Sequence, residues 1–126
     1  MSELASKRIL VLEDEVLLAI EAAETLEALG AVVIGPVHRV EAAMALLEVE
    51  RPDAALLDVN INGSTSAPVA QRLRQAEVPF VLATGYGDQS GITGQYAVID
   101  KPYNPRQIRT VFTQMLGYAA PPPSQS

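Results

Sequence analysis

Apolar residues gather in five short continuous runs: Ile9-Leu10-Val11-Leu12, Val32-Val33-Ile34, Ala54-Ala55-Leu56-Leu57, Phe80-Val81-Leu82-Ala83 and Ala97-Val98-Ile99. None alternates with polar residues, the pattern of parallel strands covered on both faces. Between the runs, apolar residues recur at helical spacing. Leu18, Ala22, Thr25 or Leu26, and Leu29 share one face, and Gly30 follows at a helix-ending position. Val40, Ala43, Met44 and Leu47 form a second such stripe, and Val69, Leu73 and Ala76 a third, with Pro68 in its first turn. Ile108, Val111, Phe112 and Met115 form the last, opened by Asn104 as N-cap and Pro105 at N1 and followed by Gly117.

Strand and helix alternate five times, which predicts an α/β domain: a doubly wound five-stranded parallel sheet with helices on both faces. The weak element is 88–95, where Gly87, Gly91 and Gly94 predict a short or mobile fourth helix. Residues 1–118 form the expected domain. The tail 119–126, with Pro121-Pro122-Pro123, is expected to be disordered.

Composition narrows the chemistry. With 126 residues the chain suits one core and leaves no room for a separate output domain. A formal charge of −6 with no Trp argues against a nucleic-acid surface. The absence of cysteine removes disulfides, thiolate catalysis and Cys-based zinc sites, and the single histidine, His38, removes multi-histidine metal sites. No run approaches a membrane span and no signal peptide is read, so a cytoplasmic protein without membrane attachment is expected.

In an open parallel sheet, sites form beyond the carboxyl ends of the strands. The first run ends in Glu13-Asp14, the third in Asp58, the fourth in Thr84-Gly85 and the fifth in Asp100-Lys101-Pro102. Carboxylates converging at one rim repel; two unit charges about 4 Å apart cost about 4 kcal/mol at an effective dielectric near 20. Such a cluster raises a pKa or holds a cation, and a few hard oxygen ligands suit Mg²⁺ better than Zn²⁺ or caged Ca²⁺.

These segments, Ile9 to Glu15, Ala55 to Asn60, Leu82 to Gly85 and Asp100 to Pro102, together resemble the receiver domain of two-component response regulators (CheY-like). The ordered spacing, 44 residues from Asp14 to Asp58 and 43 from Asp58 to Lys101, carries the resemblance, which runs from Lys7 to Leu116. Phe80 to Tyr86 further resembles the FATGUY subgroup, found mainly in alphaproteobacteria.

The resemblance implies a single-domain response regulator of a phosphorelay. Asp58 would be the phosphoacceptor, assisted by Thr84 and Lys101. Asp14 and Asp58 would bind Mg²⁺ directly, Glu13 through water and Asn60 through its backbone carbonyl. It further implies a cis Lys101–Pro102 peptide, and a phosphoacceptor rather than an enzyme, with at most slow loss of its own phosphate. The implied partners are a sensor histidine kinase of the HWE or a related class, or a phosphotransfer protein, and a downstream protein the sequence does not identify. For the FATGUY subgroup these partners have links to the general stress response.

Three positions depart from the common pattern. Val98 stands where receivers usually carry a switching aromatic. The interval from Thr84 to Lys101 is only 17 residues. The loop from Val59 to Pro68 lacks the usual proline-containing turn. We therefore expect phosphorylation to draw Thr84 inward and to order segment 87–94, with Tyr86 and Tyr103 supplying packing that Val98 cannot. Tyr96 reads as core, His38 as solvated or packed, and Ser64, Thr65 and Ser66 as loop and cap residues. Two other functions fit less well. A phosphorylation-independent pseudo-receiver would not need the full set of Glu13, Asp14, Asp58, Thr84 and Lys101. A haloacid dehalogenase-like phosphohydrolase wants an acid where Asn60 stands.

Overall fold

A computed structural model describes residues 3–85 and 90–117. Its main sheet has five parallel strands: β1 (Arg8–Leu12), β2 (Val32–Val37), β3 (Ala54–Asp58), β6 (Phe80–Thr84) and β7 (Ala97–Asp100), in the order β2-β1-β3-β6-β7. Four helices connect or flank them: α1 (Val16–Ala28), α2 (Val40–Val49), α3 (Ala67–Gln75) and α4 (Pro105–Met115). This is the expected doubly wound architecture.

The side chains explain the layering. Every residue of the central β3 is buried. Leu10, Leu12, Leu57, Phe80 and Leu82 face one side and pack against Ala43 and Leu47 of α2 and Val69, Ala70 and Leu73 of α3. Ile9, Val11, Leu56, Val81 and Ala83 face the other and meet Ala22 and Leu26 of α1 and Ile108, Val111 and Phe112 of α4. Alternating strand residues thus feed two cores, which is why the runs read as continuously apolar. Each buried Leu, Val or Phe contributes about 1.5–3 kcal/mol relative to exposure. Asn104 caps α4 as expected, its side chain accepting from the Gln107 N–H at 2.9 Å while the Gln107 side chain accepts from the Asn104 N–H.

The carboxyl side of the sheet departs from expectation in three places. First, no helix forms between β6 and β7 among the described residues; 90–96 is irregular, and 86–89, including Tyr86, lie outside the description. Within 90–96, Ile92 is the residue that enters the core. Second, β2 and β7 are the edge strands of the order, and neither is covered on both faces: Val32 of β2 is 47% exposed, and β7 is open on one face. Val98 is 50% and Tyr96 49% exposed, correcting the expectation of a strand covered on both faces and of Tyr96 as core. Third, β4 (Asn60–Ile61) and β5 (Ser64–Thr65) pair as a small antiparallel hairpin just after the strand that carries Asp58. Its two-residue turn is Asn62-Gly63, with φ of 54° and 85°, a twist that Asn-Gly accepts at little cost. Ser66 occupies the α3 N-cap position but its hydroxyl makes no capping bond. The Lys101–Pro102 peptide is cis, as is Gly35–Pro36. The tail at 119–126 lies outside the described residues.

Candidate functional site

Strand register brings the candidate residues level. Leu12 pairs with Leu57, so Glu13 and Asp58, each one step further, reach the rim side by side. Asp58 pairs with Ala83, placing Thr84 just beyond it, and Thr84 pairs with Asp100, which delivers Lys101 to the same edge. The Lys101 N–H is tied to the Thr84 carbonyl at 2.7 Å.

Glu13, Asp14 and Asp58 each offer a carboxylate oxygen, all within 4.8 Å of one another. Glu13 and Asp58 are both 1% exposed. Lys101 Nζ lies between them, 2.8 Å from Asp58 Oδ2 and 3.1 Å from Glu13 Oε2. Asp14 is held from the hairpin, its Oδ2 accepting from the Asn62 N–H at 2.9 Å. Asn60 faces Asp58 with its backbone, its N–H 3.4 Å from Asp58 Oδ1, while its side-chain Oδ1 accepts from the Gly63 N–H at 3.1 Å. The Asn60 side chain therefore belongs to the hairpin turn. Thr84 is half-buried at the rim.

The charges are unbalanced, with three carboxylates for one central ammonium. Burial first, then Glu13, push the Asp58 carboxyl up to about 8, against the pull of Lys101. Burial opposes the charge of Lys101 too, but its bonds to Asp58 and Glu13 outweigh it and hold the ammonium above the usual lysine range. Asp14 goes the other way. Burial disfavours its charge, yet the Asn62 N–H and its neighbours hold it below the usual carboxylate range.

A hard divalent cation fits this donor set. Oxygen ligands about 2.1 Å from a common Mg²⁺ lie at most about 4.2 Å apart, so a small approach of Asp14 and Asp58 would let both hold one ion. Glu13 is the least free to approach, since both its oxygens already accept hydrogen bonds: Oε1 from the Tyr103 hydroxyl at 2.9 Å, and Oε2 from Lys101 and from the Glu15 N–H at 3.1 Å.

Two residues around the site, Tyr103 and Asn62, have roles that the sequence did not assign, and His38 takes the packed place expected of it. Tyr103, expected to pack near segment 87–94, is instead buried beneath Glu13, because α4 begins directly after it and turns it inward. His38 is packed, its Nδ1 2.8 Å from the Glu13 carbonyl; β2 neighbours β1, so register could have placed it there. Asn62 donates from Nδ2 to the His38 carbonyl at 3.2 Å, joining the hairpin to the β2 end. Its Asn-Gly dipeptide was the available signal.

The comparisons agree with this geometry. The family model for the response regulator receiver domain matches residues 9–113. The phyllosphere-induced regulator PhyR of Methylorubrum extorquens is 33% identical over 115 residues, covering 86% of this chain and 43% of PhyR. The chain thus spans less than half of PhyR, and half of another curated relative. The solution structure of SdrG from Sphingomonas melonis is 36% identical with a TM-score of 0.75, covering 92% of this chain and 99% of SdrG. The receiver domain of a sensor histidine kinase from Pseudomonas aeruginosa, described with a magnesium ion coordinated in its active-site cleft, matches at a TM-score of 0.77, with 90% of this chain and 99% of that one covered. At 21% identity that likeness shows the fold alone. With the family model spanning both cores and every strand end at the rim, the chain belongs to the response regulator receiver domain family.

Proposed function

We propose that this chain is a phosphorylatable receiver that takes a phosphoryl group onto Asp58 and signals by protein contacts. The observation that carries the reading is Lys101 Nζ set 2.8 Å from a buried carboxylate that two further carboxylates adjoin. In the transfer step an Asp58 oxygen bonds to phosphorus as the P–N bond of a donor phosphohistidine breaks. The imidazole keeps the electron pair and takes a proton from solvent. Lys101 then turns its ammonium from Asp58 toward a phosphoryl oxygen, and Thr84 offers its hydroxyl from the neighbouring strand end. Asp14 and Asp58 would hold Mg²⁺ directly, Glu13 through water and Asn60 through its carbonyl. That ion supplies charge neutralisation for the transferring group.

The finer reading is a FATGUY-type, single-receiver regulator served by an HWE-class or related histidine kinase, or by a phosphotransfer protein. It is supported by the Phe80 to Tyr86 segment and by the 36% identity to SdrG. Residues 1–118 form the receiver in this reading. Among the described residues no helix is long and apolar enough to cross a membrane. A phosphohydrolase is disfavoured, because the Asn60 side chain is bonded to Gly63 and carries no acid.

Incubation with Mg²⁺ and a small acyl phosphate, followed by intact mass measurement, tests this. One added phosphoryl group is expected, absent from Asp58→Asn. No adduct from either the acyl phosphate or a phosphorylated kinase would refute it.

A pH dependence follows. Mg²⁺ needs the ionised Asp58, whose carboxyl titrates near 8 in the metal-free protein. Binding below that pH releases a proton, so affinity should fall with acidification, by up to about tenfold per pH unit, and level off above it. Calorimetric titrations at several pH values, in buffers of different protonation enthalpy, read both the slope and the proton released.

A further inference from the structure

One buried polar group beside the site has no part in that scheme. Tyr103 is 3% exposed, among the apolar side chains that join Ile9, Val11 and Ala83 to α4. Its hydroxyl donates to Glu13 Oε1 at 2.9 Å. Glu13 Oε2 accepts from Lys101 Nζ at 3.1 Å, and the same ammonium reaches Asp58 Oδ2 at 2.8 Å. Lys101 is therefore divided between two buried carboxylates. Tyr103 binds the one that is not the phosphoacceptor.

The chemistry of that division gives Tyr103 a role. A buried carboxylate oxygen deprived of its donor is costly and seeks another. Without the Tyr103 hydroxyl, a donor already within reach of Glu13 is the Lys101 ammonium. Glu13 would then take a larger share of Lys101, and Asp58 a smaller one. We propose that Tyr103 is a positioning residue of the phosphoryl-transfer site: its hydroxyl pins Glu13 so that Lys101 remains deliverable to Asp58 and to the group Asp58 receives. The inference rests on the reading of Asp58 as phosphoacceptor. Tyr103 also immediately precedes Asn104, the cap of α4, so the same hydrogen bond ties the site to the start of that helix.

The test compares the full chain with Tyr103→Phe, Glu13→Gln and the double variant, all with saturating Mg²⁺ and a small acyl phosphate. Tyr103→Phe removes one oxygen and keeps the ring. The initial rate of adduct formation should fall about tenfold, the usual size of an effect exerted through a neighbouring ligand. In the Glu13→Gln background the same change should alter the rate by less than about twofold, because the group through which Tyr103 acts is gone. The nitrogen resonance of the Lys101 ammonium should shift on Tyr103→Phe in the wild type and hold still in the Glu13→Gln background. A rate within twofold of wild type, an equal loss in both backgrounds, or a Tyr103→Phe protein unfolded at the assay temperature would each overturn the positioning role. No adduct on the wild type itself would instead sink the phosphoacceptor reading, and the positioning role with it.

Discussion

Replacing Lys101 with methionine is expected to destabilise the metal-free protein by about 3–5 kcal/mol near neutral pH, the range for breaking a buried ion pair by removing one partner. The Lys101 side chain is 13% exposed and serves two carboxylates that are each 1% exposed. Methionine fills much of the volume but leaves Glu13, Asp14 and Asp58 facing one another without a cation. Two treatments should restore stability. Mg²⁺ supplies the missing positive charge. Acid weakens the competing unfolded state: the folded Asp58, pushed upward by burial and by Glu13, keeps its proton at pH 7 and pH 5 alike, while the unfolded aspartate gains less by ionising as pH falls. Urea unfolding at pH 7 and pH 5, with and without Mg²⁺, measures both. Even with Mg²⁺, phosphoryl transfer should be slower by about 100-fold to 1,000-fold, the usual loss when a fixed donor to a developing oxyanion is removed.

Asp58→Asn should do the reverse for stability while abolishing transfer. An unfolded aspartate ionises near pH 3.9, whereas the folded Asp58 does so near 8. Between these values the unfolded state gains by ionising and the folded state does not. The wild type therefore loses stability relative to the variant as pH rises from about 4 to about 8, and the difference is constant above that. The linkage is worth about 1.4 kcal/mol for each pH unit crossed between these values, so the gap at the plateau should reach several kcal/mol in favour of Asp58→Asn in the metal-free protein. Mg²⁺ should narrow it, because the ion favours the ionised carboxylate that only the wild type has. Melting curves of both proteins from pH 4 to 9, with and without Mg²⁺, give the comparison. A wild type more stable than Asp58→Asn at pH 8 without metal would contradict the charge imbalance at the site.

Much of this was legible in the chain. Five strands announce themselves as uninterrupted apolar runs, and the three central ones, β1, β3 and β6, are buried because each feeds two cores. The site follows, because a parallel sheet places every strand's carboxyl end on one rim, where Glu13, Asp14, Asp58, Thr84 and Lys101 converge. Sheet edges were less legible. Ala97-Val98-Ile99 is as apolar as the central runs, yet Val98 is half exposed; whether a helix covers an edge strand is decided by a connection elsewhere. Hydroxyl partners were not legible either. Nothing in Pro102-Tyr103-Asn104 says that the phenol turns toward Glu13, some 90 residues away in sequence. By contrast, the hairpin that holds Asp14 through Asn62 carried its signal openly in Asn62-Gly63.

The most direct test of the central claim maps the phosphoryl group itself. The protein is phosphorylated with Mg²⁺ and a small acyl phosphate, then reduced with borohydride, which converts an aspartyl phosphate to homoserine. Peptide mass spectrometry should find homoserine at position 58 and at no other aspartate. Homoserine at Asp14 or Asp53, or none at all despite an intact-mass adduct, would contradict Asp58 as the acceptor.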